Sequence, residues 1–154
     1  MKGNSLLLTV GMILVLSLAS CNTQSVPELS ESPEETRKIV QGWMDAYQSL
    51  DADKLMSYYA EDVVYLNVVI KDFGTVTYNG LNKSIHKDFQ KEGFRMELVS
   101  SFISPDGKFA AVQGNYYDLN RSGRQISMPI AIILEFQDGR IVRETDYFYG
   151  WQIK

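Results

Sequence analysis

Apolar residues recur every three or four positions early in the chain and every second position late in it. This predicts helices first and strands last. Ile39, Trp43, Tyr47 and Leu50 make one apolar helical face. Ser32-Pro33-Glu34-Glu35 starts that helix, with Ser32 as cap, Pro33 at the first helical position and two acids at the positive end of the dipole. Asp51-Ala52-Asp53 breaks it and caps a second, short helix through Leu55, Met56 and Tyr59, ended by Ala60-Glu61-Asp62. The β-branched run 63–70 reads as a strand, 71–74 as a turn, and 75–78 as a short extended piece. Asn79-Gly80 is a stop signal, and Leu81, Ile85 and Phe89 stripe a third helix ending near Gly93. Four longer strands follow at 94–103, 108–118, 125–137 and 140–149, with turns at 105–107, 120–123 and 138–139.

The last strand organises the reading. Asp138-Gly139 is a hairpin signal, because a tight primed turn needs positive φ and Gly supplies it without steric cost. Strand side chains alternate faces, so Val142, Glu144, Asp146 and Phe148 share one face, and Ile141, Arg143, Thr145 and Tyr147 the other. Asp146 has aromatic neighbours in Tyr147 and Phe148. It is either a desolvated, functional acid or a rim residue bonded to a nearby backbone or hydroxyl group. Glu144 and Asp146, about 7 Å apart along one face, suit paired acid/base work. The simpler expectation places Glu144 at the wet end with only Asp146 inside.

Helices followed by a meander of strands predict an α+β fold, a curved antiparallel sheet with helices packed on one face and a concave pocket between them. The 154 residues, 22% of them charged, make room for one domain. The net charge of −4 argues against non-specific nucleic-acid binding. One Cys excludes an intramolecular disulfide, and one His with one Cys leaves no visible metal site. No cofactor is expected.

The first residues read as a processing segment, with Lys2 as a basic start and 6–18 as an apolar stretch too short to span a membrane comfortably. Leu18-Ala19-Ser20-Cys21 resembles the lipobox of bacterial lipoproteins. That resemblance implies a leader at 1–20 and acylation of Cys21, giving an anchored protein of the cell envelope. Asn22 in place of Asp after the Cys favours the outer membrane in a Gram-negative host. Residues 21–32, polar with Pro27, read as a flexible tether. Residues 33–154 are the domain.

Three pieces of that domain carry a further resemblance. They are Trp43-Met44-Asp45-Ala46-Tyr47 running to Leu50-Asp51-Ala52-Asp53-Lys54-Leu55, then Tyr58-Tyr59-Ala60-Glu61-Asp62-Val63-Val64-Tyr65, and finally Asp138-Gly139-Arg140-Ile141-Val142 with Thr145-Asp146-Tyr147-Phe148. In this order they resemble SnoaL-like domains of the nuclear transport factor 2-like superfamily, over 33–151. The resemblance implies a cone-shaped sheet, mixed or antiparallel, with three helices on its concave face. It also implies a pocket for a small apolar molecule and, often, a homodimer through the sheet. Asp146 matches the closing-strand Asp that acts as acid/base in cyclases and epoxide hydrolases of the family. Tyr47 falls where the ketosteroid isomerases carry an oxyanion-hole Tyr. The isomerase base would fall near Asn67, an amide that takes no proton from carbon, and the second oxyanion-hole acid near Ile132. The Arg and Asp of the epoxide hydrolases' penultimate strand are absent from 128–132.

His86, the lone proton carrier near neutral pH, sits on or beside the third helix's apolar stripe, as a pocket residue or a solvated one. The candidate catalytic residues are therefore Asp146, Tyr47 and His86. The candidate ligand contacts are Trp43, Tyr47, Asn67, Glu144, Asp146 and Phe148. The first expectation for function is an anchored lipoprotein binding a small, mostly apolar molecule without a complete known catalytic set. An acid/base enzyme using Asp146 comes second, and an envelope interaction module third.

Overall fold

The computed structural model describes residues 32–68 and 76–150 and the backbone of 152–153. The expected leader, Cys21 and nearly all of the tether lie outside the described residues. So do the end of the strand expected at 63–70, the turn at 71–74, and Thr75.

α1 (Pro33–Gln48) begins where the cap chemistry puts it. Ser32 is extended, and its Oγ accepts from the Glu35 N–H at 3.2 Å. Its buried face carries Val40, Trp43, Met44 and Tyr47. Leu50 does not belong to that face. It lies past the Ser49 cap with φ 54° and is 38% exposed. Asp51 then caps α2 (Ala52–Met56) by accepting from the Lys54 N–H at 3.0 Å.

α2 stops at Met56, and Tyr59 to Asp62, expected to close it, open β1 (Tyr59–Asn67) instead. Tyr59 is buried and pairs with Ile141 on the last long strand. Strand pairing and burial override helical spacing there. α3 (Tyr78–Phe89) likewise contains Asn79 and Gly80, expected as a stop signal ahead of it. They fall in its first turn, where backbone N–H groups have no intrahelical acceptor and a Gly costs little.

The remaining strands are β2 (Arg95–Ile103), β3 (Phe109–Leu119), β4 (Gln125–Gln137) and β5 (Arg140–Phe148), with a two-residue β6 (Gln152–Ile153). They form one curved, unclosed mixed sheet in the order β1-β5-β4-β3-β2, β6 pairing with β4. β1 runs parallel to β5, and the other pairs are antiparallel. The three helices cover its concave face, and the core between them includes Val40, Trp43, Leu55, Val112, Ile132, Leu134 and Ile141.

The β4–β5 turn is primed as expected, with φ 53° at Asp138 and 72° at Gly139. One correction follows directly after it. Glu135 pairs with Arg143 but Phe136 pairs with Ile141, so Val142 is the extra residue of a bulge. Ile141, fully buried, therefore shares the core face with Glu144 and Asp146, where strict alternation puts Val142.

A second bulge lies between β2 and β3, where Leu98 pairs with Gly114 but Ser100 with Gln113. A Cβ on Gly114 would stand 2.4 Å from the Glu97 carbonyl oxygen, a backbone atom that cannot swing away. Gly114→Ala is expected to cost about 1–3 kcal/mol. The check is a lower urea midpoint at unchanged slope; an unmoved midpoint would show that the bulge yields freely.

Candidate active site

The sheet and helices enclose a cavity of about 390 Å³. Its walls are mostly apolar, with Leu81, Ile85 and Phe89 from α3, Phe94 and Met96 around β2, and Met128 and Ile130 from β4. One set of polar groups comes from Tyr47 of α1, Tyr65 and Asn67 of β1, and Asp146 of β5. The parallel β1–β5 pairing brings them together, since Asn67 stands opposite Asp146 and Tyr65 opposite Glu144.

Asp146 is 5% exposed and Glu144 fully buried. Each carboxyl has one oxygen held by a phenol. Tyr65 donates to Asp146 Oδ2 at 2.8 Å, and Tyr59 donates to Glu144 Oε2. Asn67 Nδ2 donates to the Tyr65 oxygen at 3.4 Å. Trp43 Nε1 donates to the Tyr59 oxygen at 2.8 Å, and Tyr47 is also hydrogen-bonded to Tyr59. The other two oxygens, Glu144 Oε1 and Asp146 Oδ1, are buried and receive no N–H or O–H from outside the pair. Two ionised carboxylates cannot satisfy one another, because both only accept. One shared proton, donated by one carboxyl to the other, would satisfy both.

The electrostatics agree. Burial, then the Asp146 charge, raises the Glu144 carboxyl well above the usual range; the Tyr59 bond lowers it and the Asp146 bond raises it. Burial pushes Asp146 up to about 6, with hydrogen bonds from Tyr65 and Glu144 holding it from going higher. The pair titrates as a unit. Burial and mutual repulsion make the pair hold its protons to higher pH than free carboxyls do. Burial and the neighbouring carboxylates also push the Tyr47, Tyr59 and Tyr65 phenols up, so all three remain donors.

Four sequence candidates, Tyr47, Asn67, Asp146 and Phe148, line the cavity together. Three others do not. Trp43 is fully buried behind Tyr47, their rings edge to face at 4.7 Å, and its role is to hold Tyr59. Glu144 is not at a wet end; it is fully buried, deeper than Asp146, with the Tyr59 hydroxyl bonded to its Oε2. His86 points outward, with Nε2 3.3 Å from Asp53 Oδ1, in a surface hollow with Asp51 and Gln90. Ile85 takes the inward position that His86 was expected to share.

Sequence reasoning passed over Tyr65 and Tyr59. Tyr65 was legible, being two residues before Asn67 on an expected strand and hence on the same face. Tyr59 was hidden by its assignment to a helix. A second polar group was also missed. Lys91 Nζ lies 2.5 Å from Asp88 Oδ1 and 3.8 Å from Asp118 Oδ2, and Tyr116 donates to Asp118 Oδ2 at 2.8 Å. All four line the same cavity. Among the described residues no group of His, Cys, Asp and Glu is arranged to hold a metal ion.

A model of the SnoaL-like domain family matches residues 40–144. The chain belongs to the SnoaL-like family. Its fold recurs in solved structures. A nuclear transport factor 2-like protein of unknown function from Mesorhizobium loti superposes with TM-score 0.64 at 25% identity, over 77% of this chain and 93% of that one. Bal32a, from a soil-derived mobile gene cassette, gives 0.67 at 18%, over 76% and 91%. An epoxide hydrolase of the limonene type from M. tuberculosis gives 0.62 at 20%, over 75% and 84%. No curated protein sequence matches this SnoaL-like chain significantly.

Proposed function

We propose that this SnoaL-like domain takes a small, mostly apolar molecule into its cavity and performs acid/base chemistry on it through Asp146. One observation carries the reading: a buried carboxyl, raised to about 6, lines a mostly apolar cavity with a second, fully buried carboxyl behind it. A base of that strength is largely ionised at neutral pH and still takes a proton readily. Asp146 removes a proton from the substrate or from water. Tyr65 fixes its orientation, and Glu144 steadies the charge. Tyr47, a phenol that stays protonated, donates to oxygen that becomes negative. The family's use of the closing-strand Asp as acid/base supports the same assignment.

Binding without turnover is the second reading. The observation favouring it is the β4 wall, where Met128 and Ile130 line the cavity and Ile132 stands opposite Asp146, none of them an acid or a cation. Native mass spectrometry of the chain, purified gently from its host's membranes, identifies a retained molecule. Incubating the protein with that molecule then separates the readings. Conversion supports the enzyme; unchanged recovery over hours supports the binding protein.

We also propose a lipid anchor at Cys21, supported by the pattern Leu18-Ala19-Ser20-Cys21. Several acyl chains hold a protein stably, each buried CH₂ contributing about 0.8 kcal/mol. Cys21→Ser is expected to move the protein from the membrane pellet to the soluble fraction on cell fractionation. Retention of that variant in the pellet would remove the anchor.

A further inference from the structure

The cavity is not electrically neutral. Among its described lining residues, Asp146, Asp88 and Asp118 carry negative charge, and Lys91 alone carries positive charge. Lys91 is committed to the two mouth aspartates. Among the described residues Asp146 has no cation beside it; Tyr65 donates to it, and the Glu144 carboxyl is its other close neighbour.

The aromatic side chains are arranged around that charge. Tyr47, Phe89, Phe94, Tyr116 and Phe148 form a continuous arc, each ring within 5.5 to 5.7 Å of the next. All five line the cavity. The arc begins at Tyr47, close enough to Asp146 to feel its charge, and ends at Phe148, two residues beyond Asp146 on its strand face. Aromatic faces attract cations, most strongly where water is excluded. A carboxylate in a cavity lined by an arc of aromatics repels anions and leaves a neutral ligand without charge complement.

We propose that the molecule taken by this cavity carries a positively charged nitrogen, seated against Asp146 inside the aromatic arc. The proposal rests on the cavity being a small-molecule site, as argued above, and adds the charge class of its ligand. Asp88 and Asp118 at the mouth favour entry of the same charge, and Lys91 tempers it.

Three probes of one size and shape test it: naphthylmethylamine, naphthalenemethanol and naphthoate, titrated into the full chain by calorimetry at pH 7.5. The amine is expected to bind about tenfold more tightly than the alcohol, and the carboxylate most weakly. Asp146→Asn is expected to bring amine and alcohol together. Lys91→Met, which leaves the Asp146 network untouched, is expected to widen the gap between amine and carboxylate. Equal binding of amine and alcohol, or a preference for the carboxylate, overturns the proposal while leaving the small-molecule site standing. Failure of all three to bind overturns both.

Discussion

Asp146→Asn is expected to lower turnover of the retained substrate by about a thousandfold and, in the same protein, to raise the melting temperature at pH 8 by several degrees. The first effect is the loss of the base. The second comes from the cost of keeping Asp146 ionised in the fold. Its native pKa is about 6, against 3.8 for the free side chain. Between those values the native chain holds a proton that the unfolded chain has released. Stability from this group is therefore full below pH about 4 and lost as pH rises through 6. Above that the penalty is about 3 kcal/mol, from the two-unit gap.

Asn carries no charge to desolvate and still accepts from Tyr65, so the variant escapes most of that penalty. The groups facing the position are Glu144 on β5, Tyr65 and Asn67 on β1, and Tyr47 on α1. Of these, Glu144 is the other acid, and its raised pKa acts in the same direction. The measurement is the difference in melting temperature between variant and parent from pH 4.5 to 8. The difference is expected to grow with pH and to level off above about 6.5. A variant less stable than the parent at pH 8 would mean that the network stabilises the ionised acid. Undiminished turnover would remove Asp146 from the chemistry.

The second large effect is on packing. Trp43→Ala is expected to cost about 3–5 kcal/mol, a large part of the 5–15 kcal/mol that holds a typical domain together. Trp43 is fully buried, packs edge-on to Tyr47 and donates to Tyr59. Trp43→Phe keeps a ring but not the indole N–H, and is expected to cost about 1–2 kcal/mol. Urea unfolding measures both. A loss under 1 kcal/mol for the alanine variant would show that the surrounding side chains close the gap.

Local chemistry made much of this legible. Ser32, Asp51 and Asp138-Gly139 act where their side chains or dihedrals require, and the alternation of β4 and β5 gave the strands with errors of one residue at an end. The site was legible as far as Asp146, Asn67, Tyr47 and Phe148, because strand alternation and the family resemblance both reach them. What failed depends on partners. The Val142 bulge exists only in the pairing with Glu135 and Phe136, so a single strand read alone assigns Ile141 to the wrong face. His86 and Ile85 are adjacent, and a step of one helical residue decides which faces the cavity. The depth of Glu144 is set by Tyr59, a residue 85 positions away whose strand pairing no local pattern announced.

That separation also governs when the site comes into being. β5 is the last long strand, and its parallel neighbour β1 belongs to the first half of the chain. The Tyr65–Asp146 and Tyr59–Glu144 bonds span 81 and 85 residues, contacts of the kind that form late. While the chain is being synthesised, the three helices and β1 to β4 emerge with both phenols but neither acid. A product cut short before Arg140 lacks both acids, and its β1 presents an unpaired edge where β5 belongs. Such an edge is a template for aggregation. Both acids and the strand that joins β1 to β4 thus arrive together in the final stretch of translation, and a prematurely terminated copy carries an exposed strand edge.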